Sequence, residues 1–280
     1  MSARFLDCRG KRLPLGERTL IMGILNVTPD SFSDGGRYNT VDRAVAQARR
    51  LVEDGADILD IGGESTRPGS AAVSLEEELE RIIPVIEAVS REMDTPISVD
   101  TYKPEAAKLA LVSGASIIND IWGFRRDRRM AEVAAAYGCP VVLMHNREEP
   151  LYADFLTDVK HDLLDSVAIA LKAGVDPARI ILDPGIGFAK NQEENLYMLR
   201  HLGEIAALGY PVLLGTSRKR VIRNVLDVGT DEADSGTAAT VAWGIAQGMN
   251  IMRVHDVLGM SRVARMTDAI LHADLRRDND

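Results

Sequence analysis

Residues 97–120, ISVDTYKPEAAKLALVSGASIIND, hold one complete strand–helix–strand unit, and their reading decides the fold. The β-branched run 97–99 ends at Asp100, the stretch 105–113 has helical patterning, and a second apolar run at 116–118 ends at Asn119. A strand that returns through a helix to another strand makes a parallel βαβ pair. The same alternation continues on both sides. Strands are expected at 20–25, 57–61, 97–99, 116–118, 141–144, 180–182, 212–214 and 251–254. Amphipathic stretches at 41–54, 75–92, 154–173 and 191–208 lie between them. Eight strands at an average spacing of about 30–35 residues predict an α/β fold, a (β/α)₈ TIM barrel, in preference to an open doubly wound sheet. Residues 5–16, punctuated by Gly10 and Pro14, are expected to form a short N-terminal hairpin closing the barrel floor. With no linker or low-complexity tract in view, residues 1–280 are expected to be a single domain.

The totals narrow the function. A net charge of -9 argues against a nucleic-acid or membrane-surface partner and makes any local cluster of Arg and Lys more telling. Two cysteines, Cys8 and Cys139, supply neither a disulfide framework nor zinc-ligand spacing. The N-terminus lacks the apolar stretch of a signal peptide, and no apolar run approaches the roughly 18–20 residues that span a bilayer. A cytoplasmic protein is expected.

Catalytic groups of such barrels lie where the strands end. Here those positions carry Asn26, 62–64, Asp100, Asn119, His145, Asp183, 216–219 and 253–255. Strand parity pairs Ser98 with Asp100, Ile117 with Asn119, Ile181 with Asp183 and Arg253 with His255, so each pair faces the same side, toward the axis. Two carboxylates and a carboxamide in a barrel mouth need partners, because burying them unpaired is costly. A fused-ring amino-pyrimidinone presents the matching donor–acceptor edge, and an internal Asp183–Lys219 salt bridge is the structural alternative. The second cluster is cationic: GTSRKR at 215–220 and RVHD at 253–256 follow the last two strands, where barrels recurrently hold phosphate. Arg253 and His255 are candidate oxyanion contacts. Two long loops, 26–36 and 62–69, are suited to act as lids. Asn26 is a candidate Mg²⁺ ligand through its carbonyl oxygen, beside diphosphate oxygens and water.

Seven segments, LNVTPDSFSDGG (25–36), DIGGESTRPG (60–69), SVDTYKPE (98–105), INDIWG (118–123), DPGIGFAK (183–190), GTSRKR (215–220) and RVHDV (253–257), resemble the dihydropteroate synthase family in order and register. The resemblance implies condensation of 6-hydroxymethyl-7,8-dihydropterin diphosphate with 4-aminobenzoate to 7,8-dihydropteroate in folate biosynthesis. It also implies Mg²⁺, a homodimer and competition by sulfonamides. Carried onto matching positions, it implies a pterin pocket of Asp100, Asn119, Asp183 and Lys219, with Asp100, Asp183 and Lys219 as the catalytic groups. Asn26 would hold the metal, and Arg253 and His255 the anion, with Thr66 and Arg67 on the second lid. Ser217, Arg218, Phe188 and Pro68 would meet the aminobenzoate, with Phe32 closing over it. Two segments depart from the family's usual form: HNREEP at 145–150, and Asp234-Ser235 before Gly236.

Overall fold

The computed structural model describes residues 4–28, 37–64 and 73–273. The chain opens with an antiparallel hairpin, β1 (Arg4–Cys8) paired to β2 (Lys11–Leu15). Then come β3 (Leu20–Asn26), α1 (Arg37–Glu53), β4 (Ile58–Gly62), α2 (Leu75–Glu92), β5 (Ile97–Asp100), α3 (Pro104–Val112) and β6 (Ile117–Asp120). The second half runs α4 (Arg129–Tyr137), β7 (Val141–Met144), α5 (Phe155–Ala173), β8 (Ile180–Asp183), α6 (Gln192–Arg200), α7 (Leu202–Ala206), β9 (Leu213–Leu214), α8 (Arg220–Leu226), α9 (Asp234–Ala246), β10 (Ile251–Val254) and α10 (Val257–Leu271).

Strands β3 to β10 form one eight-stranded sheet in the order β8-β7-β6-β5-β4-β3-β10-β9, with every ladder parallel. The ring closes through a single parallel bridge, Leu182 to Val212, with the Leu182 N–H donating to Pro211 O at 2.9 Å. The expected strand at 212–214 is thus shorter, because Val212 serves the closure and only Leu213–Leu214 pair in a ladder with β10. The barrel predicted from alternation is the fold found.

Alternation within the strands sorts the side chains into two cores. Leu20, Met22, Ile58, Ile117, Val142, Ile181, Leu213 and Ile251 fill the barrel interior together with Leu6, Cys8 and Leu15 of the hairpin. The hairpin therefore plugs the floor, as its sequence suggested. The alternate residues, among them Ile21, Leu59, Ile61, Val99, Ile118, Val141, Leu143, Ile180 and Leu182, pack outward against the helices. Strands covered on both faces are apolar throughout, as parallel sheets require.

Local signals set the helix ends. Ser74 caps α2 by accepting from the Glu77 N–H, and Glu76, Glu77 and Glu78 occupy its first turn, where the dipole favours anions. Asp154 caps α5 by accepting from Thr157, and Asn191 with Glu194 forms a reciprocal capping box on α6. The amphipathic stretch 191–208 is two helices, not one. At His201 the backbone leaves helical geometry, with φ -111 and ψ 26, and α7 begins afresh.

The register brings the strand ends level. Asn26 lies opposite Gly62, Gly62 opposite Asp100, and Asp100 opposite Asn119.

Candidate functional site at the barrel mouth

Arg253, in the last strand of the barrel, reaches across the interior to two acids. Its Nε lies 2.6 Å from Asp60 Oδ2 and its Nη2 2.8 Å from Asp100 Oδ2. Asp60 is fully buried and also accepts from Asn119 Nδ2, at 3.3 and 3.4 Å to its two oxygens. Three strands and the last one are thereby tied into a network of Asp60, Asp100, Asn119 and Arg253. Asp100 Oδ1 in this network, and Ser98 Oγ earlier on the same strand, are buried with no partner among the described residues. Buried polar atoms are almost always paired, so an orphaned carboxylate oxygen at the end of a barrel strand marks a place for ligand donors. Burial pushes the Asp100 carboxyl up to about 7, against the opposing pull of Arg253. Burial likewise works against the Arg253 charge, but Asp60 and Asp100 more than offset it and hold the guanidinium protonated.

The other half of the mouth is built by the loop 183–190. Asp183 Oδ1 accepts from the Gly185 N–H at 2.7 Å. Lys219 Nζ donates to Ile186 O at 2.7 Å and stands 4.8 Å from the centre of the Phe188 ring. The Asp183–Lys219 salt bridge weighed from sequence does not form, because the carbonyl takes the ammonium. Asp183 still acts on Lys219 at longer range. Burial lowers the Lys219 ammonium to about 8, with Asp183 resisting the shift, and burial raises the Asp183 carboxyl, with Lys219 resisting in turn. Gly187, at φ +88, lets the loop pass over this lysine, since a Cβ would lie 3.2 Å from Lys219 Cδ.

At the rim, Ser217 Oγ lies 3.0 Å from His255 Nδ1 and accepts from the His255 N–H at 3.2 Å. Arg218, held at φ 57, makes a two-pronged contact with Asp234 at 2.9 and 2.8 Å. Asp234 belongs to one of the segments that depart from the family's usual form, and this ion pair is what it does here. Asn26 ends β3 half-buried.

The structure thus brings Asp100, Asn119, Asp183, Phe188, Lys219 and Arg253 to one face, with Ser217, Arg218 and His255 on the loops beyond. Thr66, Arg67, Pro68 and Phe32 lie outside the described residues, as do most of both long loops. Sequence reasoning placed Arg253 with the oxyanion contacts and missed its acid partners. Asp60 was overlooked because it lies inside an apolar strand run. Its parity with Ile58, which faces the interior, was the available signal.

An interior acid–amide–guanidinium set facing a lysine across the mouth of a closed barrel defines a class of enzymes that hold a flat nitrogen heterocycle. The family model described as pterin binding enzyme matches residues 22–255. A Bacillus subtilis (strain 168) dihydropteroate synthase is 57% identical over 256 residues, covering 91% of this chain and 90% of that protein. Among solved structures, a Xanthomonas albilineans dihydropteroate synthase with 4-aminobenzoic acid superposes with a TM-score of 0.93 at 42% identity, covering 98% of this chain and 100% of that one. The Xanthomonas albilineans enzyme in complex with 7,8-dihydropteroate gives 0.89 at 41% identity, covering 96% and 100%. This chain belongs to the dihydropteroate synthase family.

Proposed function

We propose that this chain condenses 6-hydroxymethyl-7,8-dihydropterin diphosphate with 4-aminobenzoate, releasing diphosphate and forming 7,8-dihydropteroate for folate biosynthesis. The observation that carries the reading at residue level is the orphaned Asp100 Oδ1 beside Asn119, in a mouth whose other wall is Asp183 and Lys219. Asp100 and Asp183 accept N–H groups of the pterin edge, Asn119 gives and accepts, and Lys219 donates to a ring acceptor. The methylene C–O bond breaks first, and diphosphate leaves with both electrons. The cation left behind is delocalised over the ring nitrogens, where two ionised carboxylates stabilise it as it forms. The aniline lone pair then forms the C–N bond, and the nitrogen sheds its proton to water. A neutral aniline needs no strong general base. Ser217, Arg218, Phe188 and Pro68 hold the aminobenzoate, with Arg218 reaching its carboxylate by charge-assisted hydrogen bonds. Sulfonamides compete at that place. Thr66, Arg67, Arg253 and His255 serve the diphosphate side.

Mg²⁺ fits what the residues offer. Among the described residues no three His, Cys, Asp or Glu side chains converge, and Asn26 supplies one carboxamide oxygen at the mouth. A single amide oxygen suits an ion that keeps its waters and takes its other ligands from diphosphate. When bound, it would neutralise charge on the departing diphosphate.

Among the described residues no helix is long and apolar enough to cross a membrane. We read the chain as a single-domain cytoplasmic enzyme working as a homodimer on small molecules, with neither nucleic acid nor membrane as a partner. The deciding experiment is incubation with both substrates and Mg²⁺, scoring product by mass. Retention of pterin without product would make the chain a binder and overturn the catalytic reading.

A further inference from the structure

Behind the 183–190 loop lies a buried chain of polar groups that the reaction does not touch. Lys190 is 9% exposed, and its Nζ meets His145 Nδ1 at 2.8 Å, Gly185 O at 3.1 Å and Phe188 O at 3.1 Å. On its far side His145 Nε2 lies 3.1 Å from Asp162 Oδ2. That oxygen also accepts from Arg147 Nε at 2.5 Å and from Arg125 Nη1 at 3.1 Å. Burial, helped by the Lys190 charge, keeps the His145 imidazole neutral down to about pH 4. A neutral ring fits the geometry: Nδ1 accepts from the ammonium while Nε2 donates to the carboxylate.

The loop is wound around this ammonium with little room to spare. Gly185 stands at φ +67, and a Cβ there would fall 2.0 Å from His145 O and 3.4 Å from Lys190 Nζ. Asn195 accepts from the Gly187 N–H at 2.6 Å and donates to Lys190 O at 3.1 Å, and the Tyr152 hydroxyl donates to Ala189 O at 2.6 Å. The outward-facing groups of the same short loop are those of the pterin wall. The Gly185 N–H orients Asp183 Oδ1, Ile186 O fixes Lys219 Nζ, and Phe188 presents its ring to Lys219. Lys190 thus grips the carbonyls of Gly185 and Phe188, one on either side of Ile186 and Gly187.

We infer that Lys190 is a positioning residue for the pterin end of the site: seated on Gly185 O, Phe188 O and His145 Nδ1, its Nζ holds the 183–190 loop in the shape that aims Asp183 and Lys219 at the ring. Without that group, Phe188 O and His145 Nδ1 lose their donor and Gly185 O keeps only the Phe188 N–H, so the loop relaxes. The inference rests on the pterin reading of the site. It makes Lys190 act through Asp183 and Lys219, not on substrate.

The test is a double-variant cycle in the full chain, reading affinity for 6-hydroxymethyl-7,8-dihydropterin by calorimetry in the unaltered protein, Lys190→Met, Asp183→Asn and the pair. If the unaltered protein does not bind, the pterin reading fails and not this inference. Given binding, Lys190→Met is expected to weaken affinity by about tenfold or more, the scale of a buried polar group left without its partner. The KM for aminobenzoate should shift by less than the pterin affinity, because of its contacts only Phe188 lies on this loop, while Ser217 and Arg218 lie on another. The paired variant should lose less than the product of the two single losses, since the part of the Lys190 effect that runs through Asp183 is already gone and only the part through Lys219 remains. Full affinity in Lys190→Met, or losses that multiply in the pair, would overturn the assignment. Should methionine prevent folding, Lys190→Gln keeps one donor and is expected to give an intermediate loss; unchanged affinity there would overturn it equally.

Discussion

Arg253 Nη2 lies 2.8 Å from Asp100 Oδ2, while the other oxygen of the same carboxylate, Oδ1, is buried without a partner among the described residues. One oxygen is thus spent on an internal ion pair and the other left for a ligand. Replacing Asp100 by Asn keeps the shape but removes the negative charge that faces the developing cation. Asp100→Asn is expected to lower kcat by about 100-fold or more while weakening bare-pterin binding by less than about tenfold. Steady-state kinetics beside calorimetry checks this. Equal losses in both would reduce Asp100 to a binding group.

Arg253 is more than an anion contact. Its removal strands Asp60, which is fully buried, together with Asp100. Arg253→Met is expected to cost about 3–5 kcal/mol of stability, as breaking a buried ion pair does. Bare pterin should also bind less well, because Asp100 loses the charge that opposes its raised pKa. Thermal unfolding and calorimetry read the two effects. Unchanged pterin affinity would mean that Arg253 serves the diphosphate alone.

The pH profile follows from two displaced groups. Asp100, raised to about 7 by burial, becomes ionised as pH climbs through that value, and Lys219, lowered to about 8 by burial, loses its proton beyond it. Catalysis that needs the carboxylate and the ammonium should give a bell-shaped kcat/KM, rising toward pH 7 and falling above 8. The linkage to folding has the opposite sense. Since Asp100 binds its proton more tightly in the fold, its contribution to stability is full below its ordinary 3.8 and is lost as pH rises through about 7. A profile of Asp100→Asn that kept the acid limb would assign that limb elsewhere.

Arg218 is bound to Asp234 at 2.9 and 2.8 Å, yet lies partly exposed at the rim. As the aminobenzoate carboxylate contact, Arg218→Ala should raise the KM for aminobenzoate by about tenfold, the worth of one charge-assisted contact, and leave the pterin Kd unchanged. A KM that does not move would make the Asp234 pair its whole role.

At the opposite end, Leu6 of the hairpin is fully buried against the interior cluster that includes Ile117, Val142 and Ile181. Leu6→Ala should cost about 2–5 kcal/mol of stability, as large-to-small changes in a core do. Turnover of the folded fraction should stay unchanged, since the chemistry is at the other mouth. Denaturant titration together with kcat tests this, and a kcat that falls with stability would show that the floor shapes the site.

Much of this was legible in the residues because it depends on short periods. Strand–helix alternation needs only neighbouring residues, and so does the two-residue parity that put Asp100, Asn119 and Asp183 on the inner side with Ile117 and Ile181. The break at His201 escaped notice because the apolar pattern runs straight through it.

By itself, the sequence determined eight βα units, a hairpin ahead of them, and a ring of polar residues where the strands end. Only the tertiary structure decided that Arg253 belongs to Asp60 and Asp100, partners 193 and 153 residues away. The same holds for the barrel's closure through the Leu182–Val212 bridge and for the seating of Lys190 on His145 behind the 183–190 loop. The reason is physical. Local pattern fixes which way a side chain points, but which charge it meets across the barrel depends on strand register and on burial, and no short stretch of chain contains either.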